Sequence, residues 1–323
     1  MFALTNCTIY TGNGEARDEA LLIEQDRIVD RISTKNLQVD CPIIDAKGYI
    51  VAPGFIDLQL NGCGGVMFND AIEPKTLDVM HQTNLKSGTT SFLPTLITSS
   101  DDDMIQAIEV TQAYRQSQQN SLQYSVLGLH LEGPYFNRKR KGIHNEAYIR
   151  QPDRSMLKTI AEAGQEVVRI MTLAPEMVEP DEIRLLADAG IVVSGGHTDA
   201  TYEQTIAGFD AGVQMVTHLF NAMSPWQGRN PGVVGAVFDR PEIYAGIIAD
   251  GYHVHYASIR LAHQIKQDKL VFVTDATPPV GTTMASFQIG GHEVFYRDGK
   301  CVSADGTLGG SALTLIEAVA NAV

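Results

Sequence analysis

From Gly54 onward, short apolar runs alternate with helical patterns, and four of the runs end on Glu, His, His and Asp. They are Ser125–Glu132, Ile191–His197, Val213–His218 and Leu270–Asp275. Nearly continuous, β-branched hydrophobicity ended by a polar residue marks parallel strands buried on both faces. Right-handed crossovers bring such strands side by side. Eight are expected: Gly54–Leu60, Thr89–Thr95, Tyr124–Glu132, Val167–Leu173, Ile191–Gly195, Met215–His218, Tyr244–Ala249 and Leu270–Asp275. In a closed ring Glu132, His197, His218 and Asp275 converge on the C-terminal rim, where barrels of this kind do chemistry.

The fold class is therefore α/β: a (β/α)8 TIM-type barrel over residues 54–323, with a small β-sandwich-like domain begun by residues 1–53. Helices are expected over Pro74–Ser87, Asp101–Ser117, Pro180–Ala189, Thr201–Ala211 and Tyr256–Lys266, several with acidic or Pro starts. Ala3–Tyr10, Ala20–Glu24 and Arg27–Ile32 read as strands of the small domain. Phe287–Gly290, Glu293–Arg297 and Lys300–Ser303 alternate with glycine turns, which suggests a β-hairpin insertion at about 284–305. Gly306–Ser311 then opens an apolar final helix running to Val323.

Lys plus Arg number 24 against 38 Asp plus Glu, a formal charge of −14. Such a surface repels polyphosphate backbones and argues against nucleic-acid binding, while one or two local cations can still hold a small phosphate. No run approaches a bilayer span and no signal segment precedes the first strand, so no membrane partner and a cytoplasmic location are expected. Cys7, Cys41, Cys63 and Cys301 are scattered, as reduced thiols are.

An isolated His or Glu at a strand end is more often structural than functional. The set is another matter, because two imidazoles and a carboxylate can hold a divalent cation with an open position. Glu132 is costly in so apolar a run unless paired or metal-bound. Asp275 either caps the following turn or acts as a proton shuttle. His130 shares the face of Glu132 and reads as a packed, hydrogen-bonded histidine. His144 follows the basic stretch Lys139–Lys141; that stretch is a solvated loop, or its histidine polarises a substrate carbonyl. His253 belongs to the active rim on topology alone. Arg229, in the long loop Asn221–Gly232, is suited to gripping a phosphate. Gly306–Ser311 is a weak signal for anion binding.

Six ordered motifs carry a resemblance. They are Pro53–Gly65, His130–Pro134, Ser194–His197, Thr217–Ala222, Ile248–His253 and Val273–Ala276. Together they resemble the N-acetylglucosamine-6-phosphate deacetylase family of the amidohydrolase superfamily, over essentially the whole sequence. The resemblance implies one divalent metal ion per subunit on Glu132, His197 and His218, zinc favoured, with iron, manganese or cobalt also accepted. It implies Asp275 as catalytic acid/base and His144 at the acetyl carbonyl. Substrate contacts fall on Ile143, Asn221, Ala222, Asp250, His253, Leu308, Gly309 and Gly310. Arg229 matches a phosphate-binding arginine given to the neighbouring subunit, so a homodimer is implied, with a phosphorylated amino sugar as the small-molecule partner. Gln59 and Asn61 stand where many relatives carry His-x-His, which implies a single metal. The resemblance also implies strands after the final helix that complete the small domain, so that domain is expected to be incomplete here. Two rivals remain: an amidohydrolase for a cyclic imide or a different N-acyl sugar, and a non-catalytic sugar-phosphate-binding or scaffold protein.

Overall fold

The computed structural model describes residues 1–12, 14–118 and 124–322, so the Val323 end of the expected last helix lies outside the described residues. The chain forms two compact units, Met1–Phe55 and Ile56–Val323.

The larger unit is built on one parallel sheet whose strands follow chain order: Phe55–Leu60, Thr89–Ile97, Leu129–Glu132, Val168–Leu173, Val192–Gly195, Val213–Val216, Tyr244–Ile247 and Leu270–Phe272. The ring closes beyond the last of these. Asp275 N–H donates to the Gln59 carbonyl at 2.9 Å, and Leu60 bridges Ala276 in parallel. Closure removes both sheet edges and leaves no open ladder to pair with another chain.

The core lies between this ring and the helices around it. Leu60, Phe92, Leu129, Val168, Val193, Val216 and Ala245 supply strand residues; Leu77, Met104, Leu157, Ile183 and Ile259 supply helix residues. Each fully buried side chain of this size contributes roughly 1.5–3 kcal/mol. Local sequence sets the helix starts. Thr201 and Gln204 form a reciprocal capping box, as do Glu179 and Glu182 with Pro180 at the first helical position.

Several expected boundaries move. The third strand begins at Leu129 rather than Tyr124, and Val126 makes only an isolated bridge to Phe92. The sixth spans Val213–Val216, which puts His218 just beyond the strand. Helices at Arg154–Val167, broken at Gly164, and at Gly232–Asp239 add to those expected. The final helix spans Leu315–Ala322, and Gly306–Ser311 is not its opening turn: Ser311 bridges Ala276 in parallel. The backbone there pairs with the end of the eighth strand instead of starting a helix.

The insertion is a three-stranded antiparallel sheet of Ser286–Ile289, His292–Arg297 and Lys300–Ser303. Phe287, Ile289, Val294 and Cys301 pack with Ile97 and Ile143. At its turn Gly290 has φ +59°, and a β-carbon there would stand 2.0 Å from the Ile143 carbonyl oxygen. Only glycine lets the insertion press so closely on the segment that carries His144.

In the smaller unit, Arg27–Ser33, Glu19–Glu24, Phe2–Thr5 and Ile43–Asp45 form one sheet, and Glu15–Ala16, Thr8–Tyr10 and Ile50–Val51 another. Cys7, Ile9 and Leu21 form a small buried cluster there with a few half-buried neighbours, while Ile28, Ile43 and Ile50 are exposed. Among the described residues no helix is long and apolar enough to cross a membrane.

Candidate metal and active site

The rim of the larger unit holds a cavity of about 300 Å³ whose lining includes Glu132, His144, His197, His218, His253 and Asp275. His197, His218 and Asp275 have φ of 48°, 33° and 52°, left-handed values uncommon for residues with side chains. Each lies at or just beyond a strand end, where the backbone turns sharply and aims its side chain into the cavity.

Glu132, His197 and His218 are buried. Glu132 Oε1 lies 3.2 Å from His218 Nε2 and 3.4 Å from His197 Nε2, and the two Nε2 atoms are 3.1 Å apart. Three donors at about 2.1 Å from one tetrahedral cation sit roughly 3.4 Å from each other. His197 Nδ1 is 2.8 Å from the Arg140 carbonyl, an acceptor, so Nδ1 carries the proton and Nε2 presents its lone pair inward. Among the described residues, His218 Nδ1 is buried without a hydrogen-bond partner. Phe136 stacks on His197 with ring centroids 4.3 Å apart and fixes the ring plane. These donors fit a divalent cation.

A second grouping overlaps this one. Ligand atoms of Glu132, His144 and His197 lie within 4.8 Å of one another, also a possible metal-binding triad. In it, His144 Nδ1 is engaged with the Thr98 hydroxyl at 2.8 Å.

Electrostatics follow from burial and proximity. Burial works against ionising Glu132, but the adjoining His197 and His218 rings outweigh it and hold the carboxyl well below its usual range. Burial holds His144 well below the usual histidine range, and His197 below it as well. For His218, hydrogen bonding and charge from Glu132 outweigh burial, so its value rises. Burial and then the Glu132 charge push Asp275 up to about 6.

Asp275 is held from the first strand. Asn61 Nδ2 donates to its Oδ1 at 2.6 Å, and Gln59 Nε2 donates to the same oxygen at 3.2 Å and to Glu132 Oε1 at 3.0 Å. Gly310 has φ +66°, and a β-carbon on it would stand 2.8 Å from the Asp275 carbonyl oxygen. His130, as read from the sequence, is packed and hydrogen-bonded: Nε2 is 2.7 Å from Thr172 Oγ1 and Nδ1 is 3.0 Å from the Leu58 carbonyl.

Ile143, Asn221, Ala222, His253, Leu308 and Gly310 line the same cavity. Asp250, Gly309 and Arg229 are not in its lining. Asp250 stands behind His253, its Oδ2 2.6 Å from His253 Nδ1. Gly309 is buried, and a β-carbon there would press on Val294. Arg229 is exposed in a separate cavity with Asp199, Ser224 and Gln227. Lys139, Arg140, Ile248 and Thr307 line the main cavity without having been singled out. The signal for the first two was their place directly after the Glu132 strand.

Comparison with known proteins agrees with this geometry. Residues 50–323 match the amidohydrolase family, and residues 1–51 match the NagA composite domain. The chain is 43% identical to an N-acetylglucosamine-6-phosphate deacetylase of Haemophilus influenzae, covering 100% of this chain and 84% of the relative. It is 39% identical to an N-acetylgalactosamine-6-phosphate deacetylase of a Shewanella species, over 84% of this chain and 68% of the relative. The crystal structure of N-acetylglucosamine-6-phosphate deacetylase from Pasteurella multocida superposes with a TM-score of 0.95 at 46% identity, covering 100% of this chain and 84% of that one. The chain belongs to the amidohydrolase family, alongside the N-acetylglucosamine-6-phosphate deacetylases.

Proposed function

We propose that this chain hydrolyses the acetamide of N-acetylglucosamine 6-phosphate to glucosamine 6-phosphate and acetate, in amino-sugar breakdown or recycling. The observation that carries the reading is the placement of Asp275, held by two amides, in one cavity with the close donor set of Glu132, His197 and His218. The glucosamine configuration is preferred because the relatives that cover the chain most fully act on that sugar by name.

Glu132, His197 and His218 would hold one divalent cation, zinc first and iron, manganese or cobalt as alternatives. When bound there, such an ion supplies Lewis-acid chemistry, lowering the pKa of water toward roughly 7 and drawing charge from a carbonyl. One ion is expected because Gln59 and Asn61 are neutral amides whose donors turn toward the Glu132 and Asp275 carboxylates. Asp275 takes the proton of the attacking water and returns it to the sugar nitrogen as the C–N bond breaks. A carboxyl poised near 6 suits both transfers. His144, held by the 2.8 Å contact between its Nδ1 and the Thr98 hydroxyl, polarises the acetyl oxygen through Nε2 when that nitrogen carries the ring proton. Asn221, the Ala222 and Leu308 backbones and His253 orient the sugar, with Asp250 fixing His253.

Arg229, which lines a cavity separate from that of Asp275, shares its loop with the exposed Trp226, which favours a homodimer with Arg229 reaching the neighbour's phosphate. Four free cysteines favour a cytoplasmic location. The test is acetate release from the phosphorylated sugar. It is expected to stop on chelation and return with a divalent ion; no release from any metal-loaded sample would reject the reading.

A further inference from the structure

A phosphorylated substrate needs a fixed cation, yet Arg229 is outside the cavity that holds Asp275. Among the described residues, the lysine and arginine lining that cavity are Lys139 and Arg140. Arg140 is the better held. Its Nε donates to Asp199 Oδ1 at 2.9 Å and its side chain is one-third exposed, while Lys139 reaches the same carboxylate at 3.4 Å and is largely in solvent. The single Nε bond leaves both terminal nitrogens of Arg140 with no hydrogen-bond partner among the described residues. Paired N–H donors on a planar guanidinium match two oxygens of a phosphate.

Arg140 is also tied to the reacting end. Its carbonyl accepts the Nδ1 proton of His197, so one residue orients a candidate metal ligand through its backbone and offers charge through its side chain. Binding energy gained at the phosphate is then coupled to the position of the acetamide, as remote binding energy must be if it is to support turnover.

We propose that Arg140, assisted by Lys139, is a within-subunit anchor and specificity determinant for the substrate phosphate, so that phosphate recognition does not rest on Arg229 alone. The proposal rests on the deacetylase reading, and its test keeps the two apart. Acetate release by the metal-loaded full chain is measured with N-acetylglucosamine 6-phosphate and with unphosphorylated N-acetylglucosamine, beside calorimetric binding of glucosamine 6-phosphate and glucosamine.

For R140Q the phosphorylated substrate should lose about tenfold or more in kcat/KM, and glucosamine 6-phosphate should bind correspondingly more weakly. The unphosphorylated pair should change by less than about twofold, and R140K should recover part of the loss. D199N, which frees the guanidinium, should bind glucosamine 6-phosphate at least as tightly as the parent chain. Equal losses with both substrates, or none with the phosphorylated one, would overturn the role of Arg140. Failure of the unaltered chain to release acetate from the phosphorylated sugar would overturn the deacetylase reading itself.

Discussion

His197 and His218 face each other with their Nε2 atoms 3.1 Å apart, and Glu132 Oε1 lies within 3.4 Å of both. With His197 committed to donate from Nδ1, this arrangement presents lone pairs to one point, and a cation relieves their repulsion. H218A should therefore lower metal affinity by more than about a hundredfold, measured by metal content after dialysis against a buffered divalent ion. H144Q should keep the metal and lose turnover. Loss of metal in H144Q with retention in H218A would instead place the ion on Glu132, His144 and His197.

Asn61 donates to Asp275 Oδ1 at 2.6 Å, the shortest bond that carboxylate makes to a side chain. Among the described residues, replacing it by alanine leaves Gln59 as the side-chain donor to the Asp275 carboxylate. N61A should reduce kcat by about 10–100-fold with a smaller change in KM, because the lost bond positions a proton-transfer group rather than the sugar. An equal effect confined to KM would show that Asn61 serves binding instead.

Asp57 is wholly buried and accepts hydrogen bonds from the Thr274 hydroxyl and from the Thr274 and Gln59 amides. Burial nonetheless pushes it from an ordinary 3.8 up to about 7. Between those values the folded chain holds a proton that the unfolded chain has released. Its contribution to stability is thus complete below about pH 4 and lost as pH rises through about 7. D57N mimics the protonated form, so the unaltered chain should lose about 1–4 kcal/mol relative to D57N between pH 4 and 8, read from denaturant midpoints. Parallel pH curves would contradict this.

The barrel was legible because most of its strand residues are buried, and largely apolar runs such as Val168–Leu173 have few other uses. Strand ends were less so. His218 lies two residues past its strand because the backbone leaves the ladder at a left-handed residue, a turn that hydropathy does not encode. The role of Gly306–Ser311 was misread for a related reason. A glycine run before an apolar helix looks like a helix start, whereas Ser311 pairs with Ala276 across a long sequence separation. Lys139 and Arg140 went unassigned because charge in a loop reads as solvation until a cavity wall is seen beside it.

Asp275 separates catalysis from ligation more directly than any other residue in the cavity. The decisive measurement is acetate release from N-acetylglucosamine 6-phosphate by D275N, made beside metal content on the same sample. Our account predicts metal content equal to that of the unaltered chain and turnover reduced by about a thousandfold or more. Turnover above about a tenth of the unaltered rate, with metal still bound, would contradict it.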